Sequence, residues 1–393
     1  MIKWKLDKNI LLDYRRNNMK ICMLSIDFLP NIGGIAAHVY ELAKGFVNNG
    51  DEVHVITVST QKRDSFEIID GIHVHRIYRP DIRLVGSVIY FFSVVSKLRS
   101  LISNEKIDVI HTHSILDNMA TIFFNVPVIE TEHSSGFLEN VDKNKKIRFY
   151  RFIMNRANHI ICPSDELSSY VIQIGINPEK VSYISNGVDT TKFNPEIDGS
   201  EIKDKLGIDS TENIVLCPRR LVPKNGVIYL IRSIPYLLPE LNVTFLIIGT
   251  GPEMEKLKTE VKKLKIRKKI IFLGSVPNRE MPKYYSLSSL VVLPSLKEAT
   301  SISGLEAMAT GKPLIGFEIG GIPQIIDDRE TGILVTPGRE DLLASAMNFL
   351  LNNQSEMSLM SEKAYQKVQK EFDWHIVTEK TRDIYENVLK NRK

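Results

Sequence analysis

Short unbroken apolar runs recur along the chain, each closed by a turn residue and followed by a stretch with helical spacing. Ile21 to Ile26 leads through Pro30-Asn31-Ile32-Gly33-Gly34 into a helical pattern from Ala36 to Asn48, with Gly50 just past its end. Further runs lie at Ile72 to Tyr78, Ile107 to His113, Val126 to Thr131, Ile160 to Cys162 and Val181 to Ser185. They resume at Ile214 to Cys217, Val243 to Ile248, Ile270 to Leu273, Val291 to Leu293 and Leu314 to Gly316. Apolar runs without alternation are expected of strands buried on both faces of a parallel sheet, and their alternation with helices predicts an α/β fold. Leu305, Met308 and Ala309 fall at helical spacing from about Ser303, and Pro313 stops that helix. From Asp341 onward the pattern is helical; the last helix, about Val377 to Leu389, is expected to cross back onto the first half of the chain.

A chain of 393 residues is expected to form two domains. The turn residues of Asn186-Gly187-Val188-Asp189 and Phe193-Asn194-Pro195 put the boundary near Pro195. The expected units are an extension over residues 1–18, a first domain over 19–195 joined by the C-terminal helix 376–393, and a second domain over 196–375. The extension carries scattered charges and no apolar core, so it is not a secretory signal, and poor packing is expected of it. A net charge of +4 gives no reason to expect a nucleic-acid partner. Cys22, Cys162 and Cys217 form an odd set without CxxC spacing, which argues against a disulfide frame or a zinc site and for a reducing, cytoplasmic location. The longest apolar run, Leu84 to Val95, is shorter than a membrane span and is followed by Lys97 and Arg99. His73 and His75 alternate on one strand and read as an exposed face. His111, His113 and Glu132-His133 follow no known metal-ligand spacing.

The densest chemistry lies between Leu293 and Pro337. Glu298 and Glu306 are spaced Glu-x7-Glu. On a single helix they would stand about 12 Å apart along its axis, beyond the roughly 5–9.5 Å of paired glycosidase carboxylates. Glu298 on the loop and Glu306 on the second helical turn instead offer two separate acceptors for a polyhydroxyl ligand. Between them a helix start at Ser301, Ile302 and Ser303 exposes backbone N–H groups and a positive dipole end to a diphosphate; Ser303-x-x-Glu306 is equally a capping box. Gly33-Gly34 after the first strand repeats a phosphate-cradle layout. Arg220 and Lys224 on the loop after Cys217 suit the same diphosphate. Gly249-Thr250-Gly251 is not a dinucleotide fingerprint, because Met254 occupies the place of the third glycine. Lys143 to Arg156 interleaves basic and apolar residues, as a helix touching anionic lipid does, and equally as a helix packed on a sheet.

These motifs resemble the group 1, family 4 retaining glycosyltransferases of GT-B fold. The resemblance rests on Glu298, Leu305-Glu306-Ala307-Met308-Ala309, Gly311-Lys312-Pro313, Gly320-Gly321-Ile322-Pro323 and Thr331-Gly332-Ile333-Leu334-Val335. It extends to Pro30 through Ala43, Asn186-Gly187-Val188-Asp189 and Phe372-Asp373-Trp374. Ala299-Thr300-Ser301 stands where the family has Gly-Phe-Gly, and Asn225 where it has a lysine, with Lys224 one residue early. The resemblance implies two Rossmann-like doubly wound domains facing a central cleft, and metal-independent transfer of a sugar from a nucleotide-sugar, UDP- or GDP-linked, to an acceptor hydroxyl, with no cofactor besides the donor. The acceptor is a glycan, a lipid-linked molecule or a small molecule, with peripheral membrane contact through Lys143 to Arg156 as one consequence. By the same resemblance Gly33 and Gly34 close on the diphosphate, Arg220 and Lys224 neutralise it, Gly274 and Val276 lie near the base, Glu306 holds the ribose, and Glu298 and His133 face the donor sugar. A nucleotide-sugar epimerase, a phosphorylase or an inactive partner protein of the same fold are the alternatives.

Overall fold

The structure is a computed structural model that describes residues 18–31, 33–82, 85–133, 137, 141, 146–239 and 241–392. Residues 1–17 of the expected extension, and residues 143–145 of the basic stretch, lie outside the described residues.

Two sheets carry the fold. The first contains β1 (Lys20–Leu24), β2 (Glu52–Val58), β3 (Ser65–Ile69), β4 (Ile72–Ile77), β5 (Val109–Thr112), β6 (Val128–Thr131), β7 (His159–Cys162) and β8 (Val181–Tyr183), in spatial order β3-β4-β2-β1-β5-β6-β7-β8. The second contains β9 (Asn213–Pro218), β10 (Val243–Ile248), β11 (Ile270–Gly274), β12 (Leu290–Leu293), β13 (Leu314–Phe317) and β14 (Gly332–Val335), in order β11-β10-β9-β12-β13-β14. Every pairing is parallel except β3 with β4, an antiparallel edge hairpin. The helices that matter below are α1 (Gly34–Asn48), α2 (Val85–Glu105), α3 (Ile147–Met154), α4 (Asp165–Gln173), α5 (Ile302–Ala309), α6 (Glu340–Asn352), α7 (Gln354–Glu371) and α8 (Trp374–Lys390).

Successive strand residues point to opposite faces, so each apolar run feeds two cores at once. Along β10, Val243, Phe245 and Ile247 join Leu343 and Met347 of α6 on one face. Leu246 and Ile248 join Leu305 and Met308 of α5 and Ala364 of α7 on the other. In the first sheet, Cys22 and Ile110 pack with α2, α3 and α4 through Leu98, Ile153 and Leu167. Ile21, Val109 and Ile129 pack on the opposite face with Phe46 of α1 and Tyr385 of α8. This two-sided burial explains the absence of alternation in the runs. It also buries all three free cysteines and pushes each thiol up to about 12.

Two expectations are corrected. His75 is buried, not exposed, because β3 continues the sheet past β4 and lays Phe66 against the His75 ring; His75 Nε2 also meets His54 Nδ1 at 3.1 Å. Of the run from Leu84 to Val95, Leu84 lies outside the described residues and the rest is part of α2, whose 21 residues are long and apolar enough to cross a membrane by length and composition. Val94, Val95, Leu98 and Leu101 nevertheless anchor its second half in the core.

The chain leaves the first domain, builds the second and returns. Val188 N–H donates to Phe372 at 2.8 Å and Trp374 N–H to Val188 at 3.2 Å, stitching the two crossings together. Helix α8 then lies on α1. Its Tyr385 stacks on Phe46 with ring centroids 5.1 Å apart and shares a 2.6 Å hydrogen bond with His111. Arg382 donates to Asp51, both side chains being almost fully buried, and Met19 N–H donates to the other Asp51 oxygen at 2.8 Å. Breaking one side of such a buried pair leaves an uncompensated charge. Arg382→Met is therefore expected to cost about 3 kcal/mol, read as a clear fall in Tm. The double variant Asp51→Asn/Arg382→Met should recover part of it; a single variant as stable as the parent would show the pair to be dispensable.

Candidate functional site

In parallel sheets ligands collect where strands end and helices begin. Here the carboxyl ends of both sheets open into one cavity of about 870 Å³. The first domain contributes Gly34 and Ile35 at the start of α1, His133 after β6, and Pro163 and Glu166 after β7. The second contributes Arg219, Arg220 and residues 222–225 after β9, residues 296–300 and Ile302 after β12, and Ile319 after β13.

The loop after β9 is braced from behind. Gly249 lies so close that a Cβ there would sit 2.1 Å from the Arg219 carbonyl oxygen, so only glycine fits. Asn225 Nδ2 donates to the Arg220 carbonyl at 2.8 Å, which fixes the loop from the position where a lysine was expected. Arg220 and Lys224 are exposed on the cavity wall, and Lys297 joins them from the next loop. Leu296 N–H donates to the Lys224 carbonyl at 2.7 Å and ties the two loops together.

Glu298 is on the loop and Glu306 on the second turn of α5. The Glu298 backbone is seated by the following glycine pair. Gly321 N–H donates to its carbonyl at 2.9 Å, and a Cβ on Gly320 would sit 1.9 Å from the same oxygen. Its carboxylate is held by Arg219, whose Nη2 lies 2.8 Å from Glu298 Oε2 and 2.8 Å from Ser301 Oγ. The capping box does not form: Ser301 caps α5 by accepting from Gly304 N–H at 3.2 Å. Ser303 sits one residue into the helix, its hydroxyl 3.4 Å from that of Ser301. Ile302 reaches across to Gly34, where an added Cβ would lie 3.8 Å from its Cδ1. Thr300 Oγ1 donates to the Pro163 carbonyl, and Ala299 packs on the first-domain core. Two of the three residues that depart from the Gly-Phe-Gly pattern, Ala299 and Thr300, thus bridge the two domains.

Of the residues singled out by sequence, Gly34, His133, Arg220, Lys224, Glu298 and Ile302 line the cavity, with Gly33 extended just before α1 and Ser301 and Ser303 at the α5 start. Glu306 lies behind, buried, taking Tyr285 Oη at 2.8 Å and Asn278 Nδ2 at 3.4 Å; burial raises its pKa. Gly274 and Val276 sit at and beyond the end of β11, outside the cavity lining. Arg219, Lys297, Glu166 and Asn186 line the cavity and were not singled out. The Arg219-Arg220 doublet was the visible signal for the first; nothing in the pattern separates the cation that meets Glu298 from the one that faces the cavity.

Beneath the first-domain wall lies a histidine cluster. His38 Nδ1 meets Asn186 Oδ1 at 2.8 Å, and the His38 ring lies edge-on to His133 at 4.5 Å and to Trp374 at 5.4 Å. His113 Nδ1 and His133 Nε2 stand 3.3 Å apart in nearly parallel rings. His38, His113 and His133 bring a nitrogen each within 4.8 Å of one another. Which of the two nitrogens donates in the His113–His133 contact depends on the tautomer of each ring.

Residues 198–367 match the family model of glycosyl transferases group 1, and residues 32–192 that of glycosyltransferase family 4. The chain is 30% identical over 385 residues to an uncharacterized glycosyltransferase of Methanocaldococcus jannaschii, covering 93% of this chain and 98% of that one. It is 26% identical over 378 residues to the phosphatidylinositol N-acetylglucosaminyltransferase gpi3 subunit of Schizosaccharomyces pombe, covering 93% of this chain and 80% of that protein. Among solved structures it is similar to HepE of Anabaena in complex with UDP-glucose, with a TM-score of 0.78 at 20% identity over 94% of this chain and all of the other.

The histidine cluster makes stability depend on pH. Burial holds His38 down to about 4 and His113 and His133 well below 6.5. All three are therefore neutral when folded, and protonation favours the unfolded chain. Their contribution is complete above the unfolded pKa and is lost as pH falls from about 6.5 toward 4, by up to about 3 kcal/mol for His38 alone. Thermal unfolding between about pH 7.5 and pH 5 should show Tm falling on acidification, and less steeply in His38→Asn. An unchanged slope in that variant would remove His38 from the account.

Proposed function

The chain belongs to the group 1, family 4 glycosyltransferases and is a glycosyltransferase, and from that premise we propose that it moves a sugar from a nucleoside-diphosphate donor to an acceptor hydroxyl with retention of anomeric configuration and without a metal. The cavity that brings Arg220, Lys224, Lys297 and the α5 N-terminus of the second domain to Gly34 of the first carries this reading. When the bond from the anomeric carbon to the donor oxygen breaks, the ring gains positive charge and the diphosphate negative charge. Three cations, the helix dipole and the backbone N–H groups around Gly33 and Gly34 are placed to stabilise that leaving charge.

Glu298, held by Arg219, positions donor-sugar hydroxyls, and His133 lines the sugar or acceptor side, presenting a neutral ring. Glu306 reaches the ribose by exchanging Asn278 for a ligand hydroxyl. Gly274 and Val276 border the base. A UDP-sugar is the donor class favoured by the HepE complex, and N-acetylglucosamine the first sugar to try, given the Schizosaccharomyces pombe relative. The acceptor is lipid-linked, and contact with the bilayer runs through the basic stretch that ends at Arg156.

Thermal unfolding with UDP, GDP and ADP, each with and without EDTA, tests the reading. One nucleotide should raise Tm by several degrees irrespective of EDTA, since a ligand of the folded state stabilises it. No shift with any of the three would sink the donor site. Two substitutions separate binding from positioning. Arg220→Ala should weaken the stabilising nucleotide about a hundredfold, about 2.7 kcal/mol, at an unchanged ligand-free Tm, because the side chain is exposed. Arg219→Ala should lower the ligand-free Tm as well, since it leaves Glu298 with only the Ser295 hydroxyl and no cation beside it. Titration calorimetry and Tm on the two variants decide; equal behaviour of both would place neither as described.

A further inference from the structure

Helix α2 is apolar along its length, and only its second half is used by the core. In its first half Val85, Val88, Ile89 and Phe92 fall at positions i, i+3, i+4 and i+7, one face of a helix, and all are exposed, Val88 at 55% and Phe92 at 60%. Nothing among the described residues covers that face. The patch continues sideways. Phe91 meets Phe123, itself 55% exposed, with ring centroids 6.4 Å apart. Arg156 at the end of α3 donates toward the Ile122 carbonyl beside it at 3.5 Å. Helix α3 sits next in line: Tyr150, Ile153 and Met154 enter the core while Phe152 stands 63% exposed. All of these elements cover the same face of the first sheet.

Cations surround the apolar surface. Arg79 stands before α2, and Lys146, Arg148, Arg151 and Arg156 stand on and around α3, all exposed. Helix α3 has no acidic residue; the one acid of α2, Glu105, is its last residue, at the end away from the apolar patch, and Asp81 precedes the helix. A large exposed apolar patch marks an interaction site, and a basic rim selects an anionic partner. An apolar face flanked by arginines, on helices lying along the molecular surface, is the pattern of a protein that rests on a bilayer. Crossing the bilayer is ruled out for α2 in this fold, since Val94, Leu98 and Leu101 are core residues.

We propose that the face formed by the first half of α2, Phe123 and α3 docks on an anionic bilayer, and that it does so beside the cleft mouth. Helices begin where parallel strands end, so the first half of α2 lies toward the carboxyl ends of the first sheet, the same ends that supply His133 and Pro163 to the cavity. The α2 end of the docked face therefore brings lipid head groups toward the acceptor side of the cleft, while Phe123 and Arg156, just before β6 and β7, extend the face toward the other end of the sheet. That last statement rests on the transferase reading above; the docking itself does not.

The test is co-sedimentation of the full chain with vesicles of phosphatidylcholine alone and of phosphatidylcholine mixed equally with phosphatidylglycerol. Binding is expected to the mixed vesicles and to weaken with added salt. Val88→Ser/Ile89→Ser/Phe92→Ser should reduce it at least tenfold, and Arg148→Glu/Arg156→Glu should remove the preference for the anionic lipid. The side chains replaced are exposed, so Tm and the nucleotide-induced Tm shift should stay at parental values in both variants, which separates failure of docking from failure of the donor site. Absence of binding to either vesicle overturns the proposal, as does binding that the triple serine variant leaves unchanged. Sedimentation velocity covers the competing occupant: a dimer abolished by the triple variant would assign the face to a second copy instead.

Discussion

Everything at the site depends on the chain coming back. The second domain is inserted between β8 and α8, and α8 must dock on α1 for the two sheets to face one another. A buried pair, Asp51 with Arg382, sits under that contact. Burial raises the Asp51 pKa despite the arginine beside it, which shows how much of the attraction is consumed by desolvation. Such a pair adds little net stability compared with an apolar contact of the same size. It does set the register of α8: sliding the helix by one residue would leave two buried charges unpaired, a cost no apolar helix interface would impose.

The same logic of fixing place rather than adding strength recurs around Glu298. Its backbone is pressed by Gly320 and Gly321, its carboxylate is taken by Arg219, and Arg219 in turn meets the hydroxyl that caps α5. Acid, helix start and cationic loop therefore move as one body. Arg219 Nε is buried and has no hydrogen-bond partner among the described residues. A buried donor in that state costs about 1–3 kcal/mol.

Much of this was legible in the sequence because it is periodic or punctuated. Uninterrupted runs marked nearly every parallel strand, since two-sided burial leaves no room for polar positions. The edge hairpin β3–β4 was missed although Asp70-Gly71 between the strands is its turn signature; the exposed alternation of Phe66, Glu67 and Ile68 looks like a loop when no core demands it. Helix α2 was underestimated because its exposed half is apolar, the reverse of the usual surface pattern. At the site, motif residues were found by their spacing along the chain. Glu166 and Asn186 were not, because what places them is proximity across the cleft, and Arg219 was not, because its partners Glu298 and Ser301 come from a distant stretch of the same domain; no local window contains either.

The contact between Thr300 and the Pro163 carbonyl sets how readily the cleft opens. Any rigid rotation of the domains apart must break it and lift Ala299 off the first-domain core, while Glu298 stays with Arg219 on the second. Water can replace the lost hydrogen bond, so its net worth is about 0.5–1.5 kcal/mol. Opening would also part Ile302 from Gly34 and Gln324 from Asp165, so these few contacts together set its cost. A ligand that touches both Gly34 and Arg220 adds to that cost and acts as a brake on the motion.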